Sequence, residues 1–333
     1  MKTKKRTKPV VNFRTDLAIE AKEAISVDGN EDIDGVSIDT EEEDGIEITH
    51  VKILNKKGSL SLGKPIGNYI TIEAEAMKEN DIDTHEKIIK ITASKIAMLT
   101  KLKEDSVILV VGLGNWNVTP DALGPKTISK VLVTRHLSAE IPLQIDKSVR
   151  KVAAVTPGVM GITGIETFEM IEGIVNKIKP DILIAIDALA ARKLSRINAA
   201  IQMSDSGITP GAGVGNKRAE ISMETLGIPV ISIGVPTVVD AATLVNDTMD
   251  KMLGDMIKAS ENGKDFYKML KELADEEKYK LIYELLAPYK GNMVVTPKEV
   301  DAVIDRLSYI IANSINIAMH PGITMEDINR YTH

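Results

Sequence analysis

Three short apolar runs constrain this chain most: SVILVVG at 106–112, PDILIAIDA at 180–188 and IPVISIGV at 228–235. Each is a continuous row of aliphatic, largely β-branched residues, bounded by Gly, Pro or Asp. A half-exposed strand would alternate apolar with polar residues, so these runs predict strands buried on both faces. Amphipathic segments separate them. Residues 83–102 place Ile88, Ile89, Ile91, Ile96, Leu99 and Leu102 on one helical stripe, and Ile165, Phe168, Ile171, Ile174, Val175 and Ile178 mark another. Such alternation predicts an α/β fold, a three-layer α/β/α arrangement around a mainly parallel sheet.

Further strands are expected at 150–156 and 197–204. GIEITHVKIL (45–54) and GNYITIEAEAM (67–77) read as extra N-terminal strands. A helix is expected from near Asp121 to about Arg135. Additional C-terminal helices follow: a stripe from Leu244 to Ile257, then regions 264–287 and 297–318. No segment between 45 and 318 reads as a linker, which favours one compact domain with additions. With only 3% aromatic residues, its core must rest on Ile, Val, Leu, Met and Ala.

Cys is absent from the sequence, which excludes a disulfide scaffold, a thiolate metal site and a cysteine nucleophile together. The net charge of −7 argues against a surface built for nucleic-acid phosphate. No apolar run approaches the about 20 residues of a membrane span. The basic start MKTKKRTK has no apolar segment after it, so it does not read as a secretory signal. A cytoplasmic protein is the expectation. The acidic stretch Asp28–Asp44, without Lys or Arg, reads as a solvated loop.

In open α/β sheets, sites form beyond the carboxyl ends of parallel strands. Two strand ends are chemically loaded: VVGLGNWNVTPDALGP (110–125), which leads to Asp121, and ILIAIDALAAR (182–192), which carries Asp187. Each acid can also be read as a helix cap. Taken together, they are two carboxylates able to face one crevice. Gly112-Leu113-Gly114 opens like a dinucleotide fingerprint, but Asn117 stands where the third Gly belongs, and no cofactor is expected. GITPGAGVGNK (207–217) is glycine-rich without the Lys-Ser/Thr of a P-loop. It is either an ordinary turn or a backbone wall whose Gly211, Gly213 and Gly215 let a peptide or oxyanion come close. G-x-S-x-G is missing, and His85-Glu86 is followed by Ile89 where H-E-x-x-H needs its second His. The histidines have no ligand spacing, so no metal is expected.

Several stretches together resemble one family. They are Arg14-Thr15-Asp16-Leu17-Ala18 with Glu20-Ala21, the block 110–125, TPGVMGITGIET (156–167), AIDALAAR (185–192) and SDSGITPGAGVGNKR (204–218). They resemble the germination proteases of spore-forming bacteria, with a more distant similarity to hydrogenase maturation endopeptidases. The resemblance implies an atypical aspartic endopeptidase that degrades small acid-soluble spore proteins in the spore core and is made as a homotetrameric, self-processing zymogen. The family's two proposed catalytic aspartates match Asp121 and Asp187, the same two strand-end acids. Its processing motif places the cut at Asp16–Leu17. That makes residues 1–16 a propeptide and 17–333 the peptidase domain, and the sequence as written a zymogen. Lys217 stands where the family more often has His. A metal-dependent endopeptidase of the hydrogenase-maturation kind is the runner-up; a nucleotide-binding oxidoreductase, weakened by the missing third glycine, and a non-catalytic binding module using the acidic run are further alternatives.

Overall fold

A computed structural model describes residues 15–25, 33–137, 148–212, 218–259, 284 and 293–331. Nine strands form one sheet: β1 (Val36–Glu43), β2 (Ile46–Ile53), β3 (Gly67–Glu73), β4 (Val107–Gly112), β5 (Lys151–Val155), β6 (Ile182–Ala191), β7 (Ala200–Ser204), β8 (Val230–Asp240) and β9 (Val294–Val295). Their spatial order is β1-β2-β3-β7-β8-β6-β4-β5, and β9 pairs with β8 outside that path.

Alternate residues of the three founding strands serve different layers, as a pleated strand requires. Ile108, Val110, Ile182, Ile184, Ile186, Ile231 and Ile233 join one core. That core is covered by α3 (Ile82–Thr100), after α1 (Ala18–Ile25) and α2 (Lys56–Leu62) in chain order, and by a long C-terminal helix, Val300–Met319. Leu109, Val111, Leu183, Ala185 and Val230 face the other way, against Ile171 and Val175 of the helix Thr167–Ile178. Helices thus cover both faces, and the three layers match the α/β expectation.

The mainly parallel sheet is corrected to a mixed one. Parallel pairing is confined to β5-β4-β6-β8. β7 pairs antiparallel with both β8 and β3, and β1, β2, β3 and β9 extend the antiparallel parts. The reason lies in the connection after β6. It reaches β7 through the short segment 192–199, while a parallel return needs a crossover of a dozen or more residues.

Three local expectations also change. Residues 36–43 of the acidic run form the edge strand β1, held by eight residue pairs to β2. The helix expected from Asp121 to Arg135 is a 3-10 turn, Thr119–Asp121, followed by α4 (Leu123–Ile128). The chain leaves the helical path there because its backbone is captured elsewhere: Leu132 N–H donates to Asn316 Oδ1 at 2.8 Å and Thr134 N–H to the Val152 carbonyl at 3.0 Å. Beyond Glu73, the strand expected at 67–77 gives way to a 3-10 turn, Glu75–Lys78. The helical region expected at 264–287 lies outside the described residues apart from Glu284, as do residues 1–14.

Candidate active site

Asp187 is not the last residue of its strand. β6 runs on to Ala191 through an irregularity between Leu189 and Ala190. Period two puts Leu183, Ala185 and Asp187 on one face, so Asp187 continues an apolar row and is only 6% exposed. The 2.9 Å hydrogen bond from Ala188 N–H to its Oδ1 favours the ionised form but does not offset the lost solvation. Burial, then the nearby charges of Asp121 and Asp16, push its pKa well above the carboxylate range.

Asp121 arrives from the neighbouring strand. After β4, Leu113 N–H donates to the Ile186 carbonyl at 2.8 Å, which keeps the chain beside β6 just before Asp187. Gly114 then turns with φ +107°, and a Cβ there would lie 2.0 Å from the Asp121 carbonyl oxygen. Only a residue without a side chain fits so close an approach. The turn is pinned from three sides. Asn115 N–H donates to Asp121 Oδ2 at 2.8 Å, Thr237 Oγ1 to the Pro120 carbonyl at 2.7 Å and Thr119 Oγ1 to Asp301 Oδ1 at 2.9 Å. Burial raises the Asp121 pKa, and the Asn115 amide lowers it in part.

Both aspartates line a crevice of about 580 Å³, walled by Gly114, Pro120, Gly158, Gly211, Arg218 and Thr237 among others. A second cavity of about 590 Å³ shares Asp187, Ala188 and Gly211 with the first and is lined by Asp16, Lys64, Gln202 and Glu220 on its other sides. Asp187 therefore stands in the wall between two hollows. Gly211 borders both, while Gly213 and Gly215 lie outside the described residues. Among the described residues, no group of three or more His, Asp or Glu is placed to hold a metal ion. No helix among them is long and apolar enough to cross a membrane.

The Asp16–Leu17 bond lies in this region. Asp16 N–H donates to the Ala190 carbonyl at 3.0 Å, and Ala190 N–H returns a 2.8 Å bond to Asp16 Oδ2. Leu17 is fully buried and packs with Ile19, Leu189 and Ile208. The chain then enters α1, where Glu20 accepts the N–H groups of Arg192 and Lys193 at 2.7 and 2.9 Å. Buried Arg196 binds Glu23 through two nitrogens, at 2.8 and 2.9 Å, and Glu73 at 2.8 Å. Glu20 completes the cluster at 3.6 Å from Arg196.

Sequence reasoning singled out Asp16, Leu17, Asp121, Asp187 and Gly211, and the structure gathers them around the two adjoining cavities. It missed Lys64, Gln202 and Arg196, and named Glu20 only as part of the processing motif. Gln202 left a trace as the one amide inside the apolar run AIQMS. Lys64 and Arg196 left none, because long-range folding alone brings them to this place.

The sequence model of one family, described as germination protease, matches residues 14–271 and 254–332. The germination protease of Caldanaerobacter subterraneus subsp. tengcongensis is 50% identical over 324 residues, covering 97% of this chain and 99% of that protein. That of Clostridium tetani is 51% identical over 321 residues, covering 96% and 99%. That of Bacillus cytotoxicus is 45% identical over an alignment of 356 residues, covering 96% and 97%.

Proposed function

Since the chain belongs to the germination protease family, we propose that it is an aspartic-type endopeptidase whose catalytic pair is Asp121 and Asp187. One observation carries this reading: two carboxyl groups with raised pKa values line one crevice, and the Asp121 charge is among the causes that raise Asp187. Two such groups share a proton more readily than they ionise together. The ionised one takes a proton from water, and the water oxygen attacks the peptide carbonyl carbon. The protonated one donates toward the carbonyl oxygen. As the C–N bond breaks, the departing amine collects a proton, leaving a new carboxyl end and a new amino end. The pair titrates as a unit, so the base and the acid are properties of the dyad rather than of either residue.

The family and the processing motif support the rest. The substrates are small acid-soluble spore proteins, degraded in the spore core during germination. Residues 1–16 are a propeptide, residues 17–333 form the peptidase domain, and the chain assembles as a homotetramer that cuts itself at Asp16–Leu17. Neither nucleic acid nor membrane takes part directly. A metal-dependent mechanism of the hydrogenase-maturation kind would need a third donor beside the two aspartates, and the described residues hold no such triad.

The test is to incubate full-length protein at mildly acidic and at neutral pH, with and without chelator, and to read the new N-terminus. A terminus at Leu17, unaffected by chelator and lost in Asp121→Asn and in Asp187→Asn with melting retained, is the expected result. Continued cutting by either variant at the normal rate refutes the dyad, and loss of cutting in chelator moves the assignment to metal chemistry.

A further inference from the structure

The carbonyl of Asp16 is gripped from two directions. Lys64 Nζ donates to it at 3.0 Å and Gln202 Nε2 at 3.0 Å. Lys64 also reaches the Thr15 carbonyl at 3.1 Å, while Gln202 Oε1 accepts Ala18 N–H at 2.7 Å. The two side chains thus hold the backbone on both sides of the Asp16–Leu17 bond. Both line the cavity that Asp187 borders. Lys64 approaches from the segment just after α2 and Gln202 from β7, so the cradle spans elements far apart in the chain.

We propose that Lys64 and Gln202 form the oxyanion cradle for cleavage of the Asp16–Leu17 bond, and that Ala190 N–H selects an acidic side chain on the residue before the cut. This rests on the reading that Asp16–Leu17 is the self-processing site. When a water oxygen adds to the Asp16 carbonyl carbon, the C=O electron pair moves onto oxygen, where the ammonium and the amide already point. The water proton passes to the ionised member of the dyad, which hands it to the Leu17 nitrogen as collapse of the adduct breaks the C–N bond, leaving a carboxyl group on Asp16 and a free amino group on Leu17. Burial lowers the Lys64 pKa while the charges of Asp16 and Glu20 raise it; its fixed N–H donors suit this task, because they stabilise charge that grows in the transition state and need no reorganisation. The 2.8 Å bond from Ala190 N–H to Asp16 Oδ2 gives the acidic side chain a partner of its own, so the carbonyl stays with Lys64 and Gln202.

The experiment follows self-processing of full-length protein by N-terminal sequencing, with hydrogen exchange at the Leu17 and Ala18 amides as a parallel readout of docking. Lys64→Met is expected to slow cutting about 100-fold, the effect of losing one oxyanion donor, while amide protection is retained. Lys64→Arg, which keeps the charge, should cut faster than Lys64→Met. Should Lys64→Met fail to melt cooperatively, Gln202→Met decides by the cutting rate and the Leu17 amide alone, because Gln202 Oε1 is itself the acceptor of Ala18 N–H while Leu17 N–H is held by Thr15 Oγ1; a loss of about 100-fold is expected. Unchanged cutting in the folded variant overturns the cradle. So does slow cutting accompanied by lost amide protection, since the side chain would then only anchor the segment. If the wild-type chain is cut, but elsewhere than Asp16–Leu17, the processing-site reading fails first and takes the cradle with it.

Discussion

Replacing Gly114 by Ala tests whether the position of Asp121 governs the reaction. The added Cβ would lie 2.0 Å from the Asp121 carbonyl oxygen and 3.1 Å from its Oδ1. Real Cβ contacts essentially never fall under 3.0 Å, so the turn carrying Asp121 must retreat by about 1 Å. The backbone adds its own strain, because φ is +107° there, at a cost of about 1–3 kcal/mol. A stable chain survives that loss, but the site does not tolerate the movement, since a misplacement of about 1 Å costs about 100-fold in rate. Gly114→Ala should therefore melt cooperatively, slightly below the wild type, and process itself about 100-fold more slowly. The assay pairs a thermal melt with the time course of the new N-terminus. Self-processing within about threefold of wild type, under about 1 kcal/mol in barrier, would refute the argument that this turn holds Asp121 in its working position.

Three further outcomes follow from the same geometry. Arg196→Met strips the buried partner from Glu20, Glu23 and Glu73; it should lower stability by about 3 kcal/mol and open residues 15–25 to limited proteolysis, and an unchanged melt would contradict this. In the folded chain, Asp187 holds its proton more tightly than in the unfolded chain, because of burial and then the charges of Asp121 and Asp16. The folded state therefore binds more protons above the ordinary carboxylate range, and stability falls as pH rises toward the raised value; Asp187→Asn should melt higher than wild type at neutral pH and converge with it in acid, so a constant difference would argue against a buried, strained carboxylate. The shared proton leads to the third outcome: the Asp16–Leu17 bond should be cut faster at mildly acidic pH, and a flat rate profile would count against a dyad that must carry one proton.

How much of this was legible in the sequence depends on what each residue answers to. β4, β6 and β8 could be read directly, because burial on both faces leaves an uninterrupted apolar run. Direction could not. The run AIQMS of β7 has the same buried pattern as the parallel strands β6 and β8, yet β7 lies antiparallel to β8 because the segment before it is short. β1 was illegible for the opposite reason. Its only apolar residues are Val36 and Ile38; Thr40 and Glu41–Glu43 carry no alternation, and the strand exists through its ladder to β2. In the site, Asp121 and Asp187 announced themselves as acids beside apolar runs. Lys64 could not, because a lone lysine between Gly63 and Pro65 looks like any other surface residue until the chain folds over it.

The acidity of β1 has a consequence for the company the molecule keeps. A sheet edge offers unpaired amides and carbonyls to any passing strand, and a second copy of the same edge is the nearest match. Here that border bears Asp39, Glu41, Glu42 and Glu43, and Lys95 answers only Glu41, at 2.5 Å. Two such borders brought side by side would oppose rows of like charge, so the sheet repels its own extension into a ribbon. Wherever crowding presses copies together, this margin pushes them apart.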